Sequence, residues 1–247
     1  MTHLLYQTNS YLKEFDATLT AVDVEQHGVV LDRTAFYPGG GGQPADRGTL
    51  LANGVSYPVV RARKNGDQVI HIIEGGGPLP EAGAAVHGAI DWARRYDLMR
   101  THTAMHILCG VVFRDYGASV TGGDMDPLAG RMDFEFETMQ RELVNAIEQA
   151  VNHEAAQGHP VRVAILPRAE AFQIPDLIRT KINLLPEGIQ EVRVVEIVGL
   201  DLQADGGTHV RSTAEVGPIR VVDYKSKGKI NKRIYIQLEP ADSDTHA

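Results

Sequence analysis

The chain is short of the features that mark several protein classes. Its single cysteine, Cys109, makes an internal disulfide impossible and fits a reducing, cytoplasmic setting. No run approaches the roughly 18 apolar residues that a membrane-spanning helix needs. The opening Met1-Thr-His-Leu-Leu-Tyr-Gln7 lacks the basic segment and apolar stretch of a secretory signal, so neither a membrane nor export is expected. Aromatic residues make up only 6%, which leaves the core to Val, Ile, Leu and Ala. Positive charge is also scarce: 24 Lys and Arg stand against 32 Asp and Glu, a net charge of −8, which argues against a generally adhesive nucleic-acid binder. A local exception runs through Lys225, Lys227, Lys229, Lys232 and Arg233, with no acid among them. Such a run is either a phosphate-contacting patch or a solvated hairpin.

What is present reads as a globular chain of 247 residues, enough for one large domain or two ordinary ones. Residues 1–92 are β-rich, with strands expected at 17–24, 29–36, 55–62, 68–73 and 86–91. Gln26-His-Gly28 turns between the first two. Lys64-Asn-Gly-Asp67 carries a hairpin signal between the third and fourth. Short strands at this spacing suggest a small barrel. The pattern changes at Trp92. A helix is expected from Ala93 to about Tyr116, with Leu98, Met105, Leu108 and Val112 on its apolar stripe. A second is expected from Glu137 to Ala156, with strands at 131–136, 161–166, 192–197, 219–224 and 233–238. The fold class is therefore α+β: a β-barrel-like domain over 1–92, then helices on an antiparallel sheet over 93–247.

Within the first helix, His102 and His106 are four residues apart and so stack on one face, where two imidazoles can close on one metal ion. Alone, such a pair is more often structural. A second element, Asp205-Gly-Gly-Thr-His209, raises its weight, because the glycines permit a tight turn that brings Asp205 and His209 round one point. Imidazoles and carboxylates both bind zinc at about 2.0–2.2 Å, so the four residues form a candidate site for one Zn2+ per chain. If Asp205 does not bind, three histidines with an open position are themselves a catalytic zinc arrangement. Thr103 stands where a zincin protease carries its glutamate base, so proteolysis is not expected. The Gly39–Gly42 loop lacks the lysine of a phosphate-binding loop, which argues against a nucleotide cofactor or ATP use. Cys109 reads as a buried, inert thiol. The other histidines (His3, His27, His71, His87, His153, His159 and His246) read as surface or satisfied core residues.

Taken together, His-x-x-x-His, the downstream Gly-Gly-Thr-His and the earlier run Leu31-Asp-Arg-Thr-Ala-Phe-Tyr-Pro-Gly-Gly-Gly-Gly-Gln-Pro-Ala-Asp-Arg-Gly48 resemble the editing domain of alanyl-tRNA synthetases and the free-standing AlaX proteins. The motifs keep the family's order over residues 31 to 213. The chain lacks an aminoacylation domain and ends soon after the editing domain, as expected of the medium-length AlaX type. The resemblance implies zinc held by His102, His106, His209 and Asp205, the last standing where the family usually has cysteine. It also implies Thr34 and Gln43 as catalytic-pocket residues and Gly41 and Gly42 as substrate contacts.

The implied reaction is hydrolysis of the ester in tRNA(Ala) mischarged with serine, and also with glycine. A synthetic pocket sized for alanine discriminates poorly against either, so a second, inverted selection is chemically useful. Zinc would polarise the ester carbonyl, lower the pKa of a water, or only position the substrate. The RNA phosphates would meet Lys225, Lys227 and Lys229, together with Lys232 and Arg233, and secondarily Arg94, Arg95 and Arg100. Two other readings stay open: an RNA-binding module that keeps the fold without hydrolysis, and a zinc-assisted hydrolase of another ester or amide.

Overall fold

A computed structural model describes residues 1–180, 185 and 188–241, so His246 lies outside the described residues. The chain divides into two compact units, one from Met1 to Tyr96 and one beginning at Asp97.

The first unit contains β1 (His3–Leu4), β2 (Glu14–Asp23), β3 (Gly28–Leu31), β4 (Arg33–Thr34), β5 (Gly48–Ala52), β6 (Val55–Asn65), β7 (Gln68–Ile73) and β8 (Ala85–Ile90). Six of them close into an antiparallel barrel in the order β2-β3-β7-β6-β5-β8, which fulfils the barrel expectation. Along β2, Phe15, Ala17 and Leu19 point inward while Glu14, Asp16 and Thr18 face solvent, the period-two alternation of a half-buried strand. Phe36, Leu31, Leu50, Val69 and Val86 complete the barrel core. The strand expected at 29–36 is broken. Its first part is β3, and Arg33–Thr34 leaves to pair with β1 in parallel. That switch carries Thr34 into the interior and sends the chain into the glycine loop.

One histidine belongs to this core. His71 is fully buried, its Nδ1 3.2 Å from the Val29 carbonyl and its Nε2 2.7 Å from Thr34 Oγ1. Burial holds its pKa down to about 4, against 6.5 for a free imidazole. Between those values the unfolded chain binds a proton that the folded barrel refuses, so stability falls as pH drops from about 6.5 toward 4. The full loss is about 3 kcal/mol. Urea midpoints measured across this range should decline for the native chain and decline less for His71→Gln. Identical pH profiles would remove His71 as the cause.

The second unit takes all but the first turn or so of α1 (Trp92–Tyr116), then β9 (Val120–Asp126), β10 (Ala129–Glu135), α2 (Arg141–Ala156), β11 (Val161–Pro167), α3 (Arg168–Ala171), β12 (Glu191–Ile197), β13 (Asp201–Ala204), β14 (Ile219–Ser226) and β15 (Asn231–Leu238). One antiparallel sheet runs β14-β15-β10-β9 and a second runs β11-β12-β13. Helix α2 buries Val144, Ile147, Val151 and Ala155, the spacing of a one-sided stripe. It starts at Arg141, four residues later than expected from Glu137, because the extended backbone at Gln140 sets its N-cap. From its outer turns, Asn152 hydrogen-bonds both the N–H and the carbonyl of Ile219, and Glu148 accepts from Val221 N–H. These bonds satisfy part of the open edge of β14.

Helix α1 departs from the narrow stripe expected of it: every residue from Leu98 to Val112 is buried. Its polar residues are paired internally, as burial demands. Thr101 donates to the Asp97 carbonyl and accepts from Leu128 N–H. Arg100 donates to the carbonyls of Val216 and Glu239.

Candidate active site

Helix α1 and the loop after β13 build the site within the second unit. His102 and His106 stand one turn apart with ring centroids separated by 5.1 Å. After β13 the chain turns through Asp205–Thr208, where Asp205 Oδ2 accepts from Gly207 N–H at 2.7 Å and fixes the turn. His209 follows, its ring 4.3 Å from that of His102 and 4.7 Å from that of His106. Asp205 faces all of them. Its Oδ1 lies 3.6 Å from His102 Nε2 and its Oδ2 2.9 Å from His209 Nε2.

One ligand atom from each of His102, His106, Asp205 and His209 lies within 4.8 Å of all the others. Ligand atoms about 2.1 Å from a tetrahedral zinc stand roughly 3.4 Å apart, so the widest pairs of the cluster would have to close by about 1 Å or more to seat the ion. Three neutral imidazoles and one carboxylate are also a chemically suitable donor set.

The protonation states of two of the three imidazoles, and of the carboxylate, favour binding. Burial pushes the pKa of His102 well below the usual imidazole value and that of His209 down to about 4, leaving both unprotonated at neutral pH. For His106, burial acts in the same direction, but the Asp201 carboxylate at its Nδ1 outweighs it and raises the pKa. Burial opposes ionisation of Asp205 too, yet the facing imidazoles of His102 and His209 overcome it and hold the carboxyl well below its ordinary range.

Residues that motif reading passed over orient these ligands. Thr103 gives its one proton to the Met99 carbonyl at 2.9 Å, so it accepts from His209 Nδ1 at 3.2 Å. That leaves His209 Nε2 turned toward the cluster. Arg193, on β12, donates from Nη1 to the Asp205 carbonyl at 2.9 Å and approaches Asp205 Oδ2 at 3.6 Å. Asp201 reaches His106 Nδ1 at 3.0 Å. The only sequence signal for it was alternation: Asp201, Gln203 and Asp205 fall on one face of an extended segment. Cys109 is buried, its thiol pKa pushed up by that burial, with Gln203 donating to Sγ at 3.3 Å.

The remaining expected residues fall elsewhere. Thr34 belongs to the barrel unit, has no exposed surface, and accepts from Phe36 N–H while pairing with His71. The glycine loop is in the same unit. Gly39, Gly40, Gly41 and Gly42 take φ values of 82°, 137°, 57° and 87°, a backbone that other L-residues adopt only with strain. Gly40 and Gln43 exchange backbone hydrogen bonds across it, and Gln43 is buried while Gly41 is exposed.

The basic run is less uniform than its composition. Lys232 is buried and caps the carbonyls of Gly228 and Lys229, and Arg233 grips Asp133 with two bonds. Lys225 pairs with Asp223 at 2.9 Å. Lys227 and Lys229 are exposed, with no ion-pair partner among the described residues. Two of the secondary arginines are not free to meet phosphate. Arg95 is wholly buried in an ion pair with Asp46, and Arg100 is held by backbone carbonyls.

Comparison with known proteins agrees with this architecture. Residues 5–94 match the family model of class II (A) tRNA synthetases, and residues 192–235 match that of the threonyl and alanyl tRNA synthetase second additional domain. An alanyl-tRNA editing protein AlaX-M of Saccharolobus solfataricus is 39% identical over 245 residues, 97% of this chain and 100% of its own. The AlaX-M of Methanosarcina barkeri is 38% identical over 242 residues, covering 96% and 99%. The alanine–tRNA ligase of Pyrobaculum aerophilum is 40% identical over 227 residues, 89% of this chain but only 25% of the ligase. With relatives this similar matching from end to end, the chain belongs to the AlaX-M alanyl-tRNA editing proteins, a family of aminoacyl-tRNA hydrolases.

Proposed function

We propose that the protein hydrolyses the aminoacyl ester of tRNA(Ala) mischarged with serine, and of tRNA(Ala) mischarged with glycine, using one zinc ion held by His102, His106, Asp205 and His209. The observation that carries this reading is the buried cluster of three imidazoles and one carboxylate in a chain that matches AlaX-M proteins over nearly its whole length. A bound zinc ion supplies Lewis acidity for ester hydrolysis. The protein residues hold and orient. His102 and His209 offer unprotonated rings, Asp205 adds a negative charge, and the buried setting strengthens every charge interaction within it.

Selection against alanine requires a polar group that serine satisfies and alanine leaves unpaired. Thr34 is our assignment for that group. His71 Nδ1 donates to Val29, so Nε2 takes the Thr34 proton. Thr34 Oγ1, which also accepts from Phe36 N–H, keeps one lone pair for a serine hydroxyl, and its burial requires the side chain to be uncovered when substrate binds. Gln43, Gly41 and Gly42 are assigned to the same pocket, and the tRNA phosphates to Lys225, Lys227 and Lys229, with Lys227 and Lys229 the more available.

The test compares Ser-tRNA(Ala), Gly-tRNA(Ala) and Ala-tRNA(Ala) as substrates, with and without a zinc chelator. Serine should be released fastest and alanine, which leaves the polar group unpaired, spared; turnover of glycine, which has no hydroxyl either, reports any selection made by size. The chelator should abolish all turnover. Equal rates for the three, or hydrolysis that survives complete metal removal, would overturn the reading.

A further inference from the structure

We propose that Asp201 is a positioning residue of the metal centre, locking the ring of His106 in the orientation and tautomer that turns Nε2 toward the ion. The inference rests on the metal reading of the cluster above and adds a residue outside the ligand set.

Asp201 opens β13 and its side chain is wholly buried. Its Oδ2 lies 3.0 Å from His106 Nδ1 and accepts from Gln203 Nε2 at 2.7 Å. A carboxylate only accepts, so Nδ1 carries a hydrogen, and in the neutral ring the lone pair is on Nε2. The second oxygen, Oδ1, has no hydrogen-bond partner among the described residues, and Arg179 Nε stands 3.5 Å away. Arg179 is itself seated over the Phe113 ring at 3.7 Å. A buried carboxylate with one oxygen this poorly satisfied is costly. Packing alone would favour an apolar residue in its place. The bond to His106, beside the ion pair with Arg179, accounts for a carboxylate here.

The helix is shaped to admit this residue. Gly110, one turn beyond His106, faces the turn before β13. A Cβ at that position would stand 3.0 Å from Asp201 Cβ, 2.9 Å from Leu200 Cγ and 3.0 Å from the Leu200 carbonyl oxygen. A side chain there crowds Leu200 and Asp201 together, so the turn that carries Asp201 must shift by a few tenths of an ångström. The two braced ligands therefore differ: His209 is oriented by the neutral hydroxyl of Thr103, and His106 by a charge. A carboxylate behind a ligating imidazole fixes its rotation and raises its basicity, and losing such a partner typically costs 10–100-fold in metal affinity.

The experiment uses the full chain and two variants, Asp201→Asn and Gly110→Ala. Zinc affinity is read by competition with a chromophoric chelator. The His106 tautomer is read by long-range 1H–15N NMR on the metal-free protein in alkaline buffer. In the native chain His106 should carry its proton on Nδ1. Asp201→Asn should lose roughly 10–100-fold in zinc affinity, and its His106 should populate both tautomers while His209 is unchanged. Gly110→Ala should move both readouts the same way, which keeps the test decisive if Asp201→Asn does not fold. Native zinc affinity together with an unchanged tautomer in either folded variant overturns the inference. A native chain that binds no zinc overturns the metal reading, and the metal-free tautomer then reports separately on whether Asp201 sets the ring.

Discussion

Arg95→Met is expected to lower the stability of the barrel unit by about 3–5 kcal/mol, the usual cost of stripping one partner from a buried ion pair. The guanidinium of Arg95 has no exposed surface. Its Nε lies 3.0 Å from both oxygens of Asp46, Nη2 bonds Asp46 and the Ala35 carbonyl, and Nη1 donates to the Ser10 carbonyl at 3.0 Å. Asp46 in turn accepts from Tyr37 N–H at 2.6 Å, and its own N–H donates to the Tyr37 carbonyl, so the pair closes the base of the glycine loop. Without Arg95 the carboxylate would remain buried and uncompensated. The loss is large against the roughly 5–15 kcal/mol of a typical domain. Urea unfolding measures it. The double variant Arg95→Met with Asp46→Leu should recover much of the loss, because an apolar pair demands no partner. A single variant within about 1 kcal/mol of the native chain would mean that water already reaches Asp46.

His102→Ala and His209→Ala should each reduce bound zinc from one per chain to nearly none. Deacylation should fall on the order of 1,000-fold, about 4 kcal/mol of transition-state stabilisation. Each imidazole is already unprotonated near neutrality, so each contributes its lone pair without first losing a proton. Asp205→Ala should be milder, since three imidazoles still make a zinc set with open coordination. Metal analysis alongside single-turnover deacylation checks all three. Full zinc content in His102→Ala or His209→Ala would place the ion at another site.

The cluster of His102, His106, Asp205 and His209 was readable from sequence because its spacing is itself geometry. Two histidines four apart on a helix must share a face, and two glycines between Asp205 and His209 must allow a tight reversal. The barrel was readable for a similar reason, since alternation along 17–24 and 68–73 is a surface pattern. What stayed hidden depends on partners distant in sequence. β9 contains Gly122, Gly123 and Asp124, poor strand formers, and exists because β10 pairs along it. Arg95 and Arg100 look like solvent-facing cations on a helix until Asp46, at a separation of 49 residues, and Val216, at 116, are brought to them. Asp201 is one acid among many until it meets His106.

The four glycines at 39–42, all with positive φ, also limit how this protein can change. Any amino-acid substitution at these four positions puts a Cβ on a backbone that resists one, whatever chemistry the new side chain offers. Retuning of the loop by point mutation is therefore channelled to the residues on either side, Tyr37, Pro38 and Gln43.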